Sequence, residues 1–487
     1  MKRIITLFAV LALIMSCAVF AGYGCKSGAD KITTYTIECS LSGEVLTGSE
    51  TVSFYNGTEN SFTELKFNLF GNAFRSGAAY SPISSQYRSR AYYNGVNYGD
   101  MTVSTVKDAD GSPLAFEICG EDQNILSVAL GKEVFPGETV KVTVDFTLKL
   151  AKVIARTGIN RKAVNLANFY PILCGIEDGS FYECLYYANG DPFFSDCADY
   201  TVTLTADEKY VVAASGKVSD SVVNGGMRTS VYSAKNVRSF AFVLSDKFES
   251  VCDTSLGTEI TYYFYDDAAP DKSLKAAVDS VRYFENTFGE YPYETFAVVQ
   301  TEFVQGGMEF PSLVMISDSL EDKAYLEVIV HETAHQWWQT AVGNNEIKYG
   351  FLDEGLAEYS VVLFYENHPD YGYTRQSCVE AAEKTYKLFC SVYEKLFGGA
   401  DTSMMRGLGE YSGEYEYVNI AYIKPTIMYD CLRETVGDNI FFKGLKRYYS
   451  EYKFKNADPY DLVGVFEKSG ADTNGYFESF FDGKVIL

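Results

Sequence analysis

The chain has 487 residues, with 41 Lys+Arg against 65 Asp+Glu, a net charge of -24 and an isoelectric point near 4.6. That length allows two to four domains, and 47% hydrophobic with 22% charged residues excludes a disordered or collagen-like chain. An acidic surface repels phosphate backbones, so nucleic acid is not expected as a partner.

Lys2 and Arg3 precede an apolar, uncharged run from Ile4 to Phe20, and small residues follow in AGYGC, residues 21–25. The run is short for a membrane span and reads as a signal peptide over 1–24. Cys25, before the polar stretch KSGADK, resembles a bacterial lipoprotein cleavage site, although Gly22 stands where that box wants a Leu-like residue. Cys17 is the second candidate for lipidation. The expectation is an exported protein at the cell surface or outside the cell, with a membrane contact only through a lipid anchor. Nine further cysteines are scattered without a C-x-x-C pair, so thiolate zinc and thioredoxin chemistry are unsupported. Cys174, Cys184 and Cys197 lie near one another, and both a disulfide and buried thiols fit them.

After a linker at 25–30, residues 31–252 read as an antiparallel β domain. Val140, Val142, Val144, Phe146, Leu148 and Leu150 alternate with polar residues, and Tyr200, Val202 and Leu204 repeat the period of two. Turn signals NGT (56–58), DGS (110–112), PGE (136–138) and NGG (224–226) separate such runs. From about residue 270 the period becomes helical. Helices are expected over 272–288, 320–342, 353–367, 373–397, 425–436 and 438–453, with a strand at 295–303. Ser319 and Asp322 suggest a capping box for the second helix, and Gly343 its end. The fold class is therefore α+β, with the β domain followed by a mainly helical domain with a small sheet over 253–487.

Residues 331–335 read His331-Glu332-Thr333-Ala334-His335 within the expected 320–342 helix. Positions i and i+4 share one helix face, so both imidazoles can reach one metal ion, with Glu332 beside it. A catalytic zinc site needs a third protein ligand and an open position. Glu354, separated from His335 by eighteen residues and preceded by FLD (351–353), opens the next helix and supplies a His₂Glu set for one zinc ion per chain. Glu332, between the two ligands, is placed to act as general base.

H-E-x-x-H, eighteen residues, then Glu resembles the gluzincin aminopeptidases, the aminopeptidase N and leukotriene hydrolase family. Gly306-Gly307-Met308-Glu309-Phe310 is similar to that family's G-A-M-E-N segment, and Tyr422-Ile423-Lys424-Pro425 to its Tyr-x-Lys-Gly. FYNGTENSFTELKFNLFGNAF (54–74) resembles its β domain. The resemblance implies a thermolysin-like catalytic domain, and peptide substrates with a free N-terminus whose first peptide bond is hydrolysed. Gly306, Gly307, Met308 and Glu309 would then bind substrate, with Glu309 holding the α-ammonium, and Tyr422 would stabilise the oxyanion. Two departures stand out: Phe310 replaces Asn, and Pro425 replaces Gly, which marks a helix start there. With 65 residues after Tyr422, a two-domain enzyme with an open primed side is expected. Alternative readings are an endopeptidase or epoxide hydrolase on the same site, and an inactive peptide-binding lipoprotein. Glu358 reads as a solvated face sooner than a partner of a zinc histidine. Asp191 adds negative charge for a substrate amine, His368 ends a helix, and Trp337 and Trp338 are core.

Overall fold

A computed structural model describes residues 32–484. The expected signal peptide and linker, with Cys17 and Cys25, lie outside the described residues. From Thr33 onward the chain packs as one compact unit.

The N-terminal part is built of several sheets. The largest has seven strands, in the spatial order Lys217–Asn224, Met227–Val237, Ala198–Asp207, Thr33–Ser42, Val45–Tyr55, Thr139–Lys149 and Asp100–Asp108. The alternating residues Val140 to Leu148 all face the core, as a half-buried strand requires. The sheet is not purely antiparallel: Thr33–Ser42 runs parallel to Ala198–Asp207, in register Tyr35↔Tyr200 and Ile37↔Val202. This is a correction to the antiparallel reading, because strands so far apart in sequence carry no local turn signal to set their direction. Two four-stranded sheets and a two-stranded one, Ile176–Glu177 with Ser180–Phe181, accompany it.

A further, five-stranded sheet has the order Glu249–Asp253, Glu259–Phe264, Thr295–Thr301, Leu313–Ser317, Gly307–Phe310. Its first strand spans the 252/253 boundary. The strand Thr295–Thr301 is buried at six of seven positions, the continuous apolar signature of a covered sheet. Gly307–Phe310 is the edge strand, antiparallel to its neighbour. The helix Pro270–Thr287, with Pro270 in its first turn, crosses between two parallel strands.

The helix carrying His331 runs over Asp322–Ala334, eight residues shorter than the expected end at 342. Beyond it the chain turns, and Trp337 and Trp338 enter the core from consecutive positions. The shortening has a chemical consequence. In a continued helix the Trp338 carbonyl would point away along the axis to residue 342; here it reaches back to His335 Nδ1 at 2.9 Å. Gly343 lies in a short strand, paired with Asn456. The capping box does not form: the Ser319 hydroxyl bonds that of Ser317, and Glu321 precedes the helix without a side-chain cap. The helix Phe351–Asn367 follows, then Arg375–Phe397, closed at its start by Thr374 and Ser377.

Pro425 stands in the first turn of the α-helix Lys424–Val436, as expected, but the chain is already helical before it. Glu414–Val418, a wide five-residue turn at Asn419–Ile423, and Lys424–Val436 run on as one helical segment. In a regular helix the proline ring would strike the carbonyl four residues back, and the wide turn gives it room. Tyr422 sits within that turn. Lys424 is buried, its Nζ donating to the carbonyls of Thr402 (2.6 Å) and Phe480 (2.5 Å), which ties the turn to the C-terminal helices. The nine cysteines among the described residues are free thiols, which decides against a disulfide among Cys174, Cys184 and Cys197.

Candidate metal centre and peptide cleft

His331 and His335 lie one turn apart, and their Nε2 atoms are 3.0 Å from each other. Glu354, in the first turn of Phe351–Asn367, places Oε2 3.3 Å from His331 Nε2 and 3.1 Å from His335 Nε2. The opposite ring nitrogens are both engaged: His331 Nδ1 by Glu358 Oε2 at 3.0 Å, His335 Nδ1 by the Trp338 carbonyl. With the proton fixed on Nδ1 in each ring, both Nε2 lone pairs aim at one point. Donors bound at 2.0–2.2 Å to one tetrahedral ion would sit roughly 3.3–3.5 Å apart, so the three atoms fit a zinc-type ion with a shift of a few tenths of an ångström. Glu358, its side chain 31% exposed, therefore also meets the ligand His331, because one helical turn puts it on the same face as Glu354.

The electrostatics are those of a set built for a cation. Burial disfavours the charged imidazolium of His335, yet Glu309 and Glu354 hold it up at about 10. Burial raises the Glu354 carboxyl, but His335 and His331 keep it well below the usual carboxylate range. Glu332 is 5% exposed, and its Oε2 accepts no hydrogen bond from the protein. Burial pushes its carboxyl up to about 8, against the pull of His331. The Tyr422 hydroxyl donates to Glu354 Oε1, and its ring stacks on His331 with centroids 5.9 Å apart.

These residues line one cleft of about 430 Å³, together with Gly306, Gly307, Glu309 and Asp191. Gly307 lies against the base: a Cβ there would sit 2.3 Å from Glu332 Oε1. Glu309 follows two residues on, on the same side of the edge strand, and one oxygen each of Glu309 and Glu332 and one nitrogen of His335 lie within 4.8 Å of one another. Met308 does not line the cleft. Its side chain alternates to the other face and packs with Phe310, Leu313 and Met315. Phe310 is buried there too, so its replacement of Asn leaves the cleft wall unchanged.

Asp191 is buried and ion-paired with Arg156. Burial pushes its carboxyl up to about 8 against the pull of Arg156. In sequence it had only its charge to mark it. Two other positions gave no signal alone. A Cβ on Gly355 would lie 2.3 Å from Pro425 Cβ, so this glycine and proline set how closely the Glu354 and Tyr422 segments approach. Trp337 and Trp338 are core, and His368 stacks on Phe364 at a helix end, both as expected.

A multi-sheet β domain, then a helical domain with two histidines and a glutamate converging beside a free carboxylate, defines the class of two-domain metallopeptidase folds. Residues 272–482 match the Peptidase family M1 domain. That match takes in the metal set and leaves the N-terminal sheets outside it. It is 23% identical over 375 residues to endoplasmic reticulum aminopeptidase 2 of Bos taurus, covering 69% of this chain and 37% of that protein. It is 25% identical over 238 residues to aminopeptidase N of Lactococcus lactis, covering 44% of this chain and 26% of that protein. The matches thus span about a quarter to two fifths of these relatives' lengths. The fold is that of the M1 zinc metallopeptidase of Deinococcus radiodurans, with a TM-score of 0.65, 16% identity, and 94% of this chain and 95% of that one covered.

Proposed function

We propose that the protein is a zinc-dependent aminopeptidase that hydrolyses the first peptide bond of peptides with a free N-terminus. The observation that carries this reading is the position of Glu309, buried and within 4.8 Å of Glu332 and His335 by their polar atoms. A substrate ammonium paired with Glu309 has its first carbonyl carbon only roughly 2.5 Å away, by the N–Cα and Cα–C bond lengths. Only the first peptide bond then reaches the metal centre. The aminopeptidase names of two relatives support the same reading.

His331, His335 and Glu354 would hold the zinc, which when bound polarises the scissile carbonyl and acidifies a water. Glu332 takes the proton from the attacking water as its oxygen bonds to the carbonyl carbon. A carboxylate raised by burial is a stronger base than one in water, so the transfer is better matched. Glu332 then gives this proton to the amine nitrogen as the C–N bond breaks. The Tyr422 hydroxyl, here on Glu354, is within reach of turning its hydrogen bond to the carbonyl oxygen as negative charge develops. Gly306 and Gly307 leave the edge strand bare, so substrate backbone can lie against it.

The reading also includes export and a lipid on Cys25 or Cys17, supported by the leader sequence alone; mass spectrometry of the mature N-terminus tests it. N-acetylated peptides test the central step. They lack the ammonium that Glu309 would pair, so an aminopeptidase refuses them, whereas an endopeptidase on the same site cleaves them.

A further inference from the structure

The cleft continues past the metal set. Glu327 and Glu358 line both the cleft and an adjoining groove of about 190 Å³. Tyr365 and Tyr373 in turn line both that groove and a third hollow of about 330 Å³. The three spaces follow two helices. On Asp322–Ala334, Lys323, Glu327 and His331 share one face; on Phe351–Asn367, Glu354, Glu358, Val361 and Tyr365 share another. The helix Arg375–Phe397 walls the middle groove with the small side chains of Ser377, Cys378, Ala381 and Ala382, which leave room for an extended backbone.

The trough changes sign along its length. Its metal end carries the carboxyls of Glu327 and Glu358. Its far end is lined by Lys272, Lys275 and Lys323 with one acid, Asp370. The acids next to these lysines in sequence, Asp271 and Asp322, do not line it. Lys275 is taken by Asp279 and lies 3.8 Å from Asp370. Lys272 and Lys323 form no ion pair among the described residues. Lys323 Nζ lies 4.7 Å from the centre of the Tyr373 ring, and that ring is 4.8 Å from the ring of buried Tyr365. In a chain of net charge -24, two amines without a carboxylate at one hollow are placed for an anion from outside.

We propose that this trough receives the peptide beyond the cleaved bond, and that Lys323 and Lys272 bind a carboxylate about three to four residues past that bond. Lys323 and His331 are eight positions apart, about 12 Å along the helix at ~1.5 Å per residue. An extended peptide covers that distance in about three to four residues at ~3.3 Å each. The carboxylate is the C-terminus of a tetra- or pentapeptide, or an Asp or Glu side chain at that place in a longer one. A dipeptide would instead bring its terminal carboxylate beside Glu327 and Glu358, which repel it. The inference rests on the aminopeptidase reading, which puts the ammonium at Glu309 and sends the rest of the peptide out of the cleft.

The test compares pentapeptides with one common free N-terminal residue and an otherwise uncharged sequence. They are made as the C-terminal acid, as the C-terminal amide, and as the amide with Glu in the last position; a dipeptide acid and its amide serve beside them. The kcat and KM values are measured on zinc-loaded protein at low and high salt. The pentapeptide acid and the Glu-bearing amide should exceed the plain amide roughly 3–10-fold in kcat/KM, mostly through KM, with the gain shrinking at high salt. The dipeptide acid should show no gain over its amide. A gain for the acid alone names the C-terminus as the ligand, and a gain for the Glu-bearing amide alone names a side chain. The double substitution Lys323→Gln with Lys272→Gln, both exposed, should bring the ratio of acid to amide to about one. Equal kcat/KM for the three pentapeptides, or a carboxylate preference that survives the double substitution, would overturn the proposal; cleavage of the plain amide would still uphold the aminopeptidase reading. If no peptide is cleaved, that reading falls, and calorimetric titration of the zinc-loaded protein with the same three pentapeptides decides the role of the lysines. Tighter binding of the carboxylate-bearing peptides supports it, and equal or absent binding overturns it.

Discussion

At the scale of single residues, the account assigns separable roles. Glu332→Gln keeps the shape but cannot take a proton, and should lose ~10²–10⁴ in kcat with zinc retained. Tyr422→Phe removes one oxyanion donor and should lose ~10²–10³; steady-state kinetics on metal-quantified protein checks both. Gly307→Ala is a sharper test of geometry. Its methyl would lie 2.3 Å from Glu332 Oε1 and 2.7 Å from Glu332 Cγ, so the whole buried side chain must shift. We expect a fall in kcat of at least ~10-fold, the lower range for a displaced general base, with zinc content unchanged. The motif His331–His335 and Glu354 was legible because spacing alone defines a ligand set. Gly307 was legible only as backbone access; its contact with Glu332 depends on how an edge strand and a helix meet, which no local pattern encodes. The role of Glu358 was ranked second to a solvated face because one turn of helix separates a solvated acid from one that meets a ligand's Nδ1.

At the scale of elements, the helix starting at Asp322 ends where its function needs it to end. The apolar pattern continues past Ala334, so periodicity overran the true boundary. The competing requirement, the Trp338 carbonyl on His335 Nδ1, is a hydrogen bond visible only in three dimensions. The pattern placed Pro425 at the start of its α-helix, but a proline gives no sign of the wide turn before it. The close packing of Gly355 on Pro425 leads to a prediction. Gly355→Ala must push the two helical segments apart, and we expect a loss of about 1–3 kcal/mol with a lower melting temperature. The metal ligands' charges predict a pH dependence. In the metal-free protein the His335 pKa is raised to about 10, so its imidazolium adds stability that is complete below the unfolded value and lost as pH rises through the folded one. Zinc must displace that proton, so its apparent affinity should climb between pH 6.5 and about 10, with protons released on binding. Calorimetry in two buffers of different ionisation enthalpy measures this; an affinity flat over the range would contradict it.

At the scale of the whole molecule, the cleft is a joint product of the β layer and the helical part. Asp191 and Arg156 come from the first, and the metal set from the second. Arg238 ties them together, donating to the carbonyls of Gln339 (2.8 Å), Ser195 (2.8 Å) and Lys455 (2.6 Å). Replacing it with Met takes the donor from the buried Gln339 carbonyl, at ~1–3 kcal/mol, and from the part-buried Ser195 and Lys455 carbonyls, which should show as a drop in thermal stability. The order of a β region before a helical one was readable from the change of period near residue 270. The parallel pairing of Thr33–Ser42 with Ala198–Asp207 was not, since it joins strands more than 150 residues apart.

The central claim is that Glu309 selects a free amine at a metal-dependent site. Its most direct test is hydrolysis of aminoacyl fluorogenic substrates beside their N-acetylated twins, each with and without a zinc chelator. The account predicts cleavage of the free-amine set alone, abolished by the chelator and restored by zinc. Equal cleavage of the acetylated set, or turnover indifferent to the chelator, would contradict it.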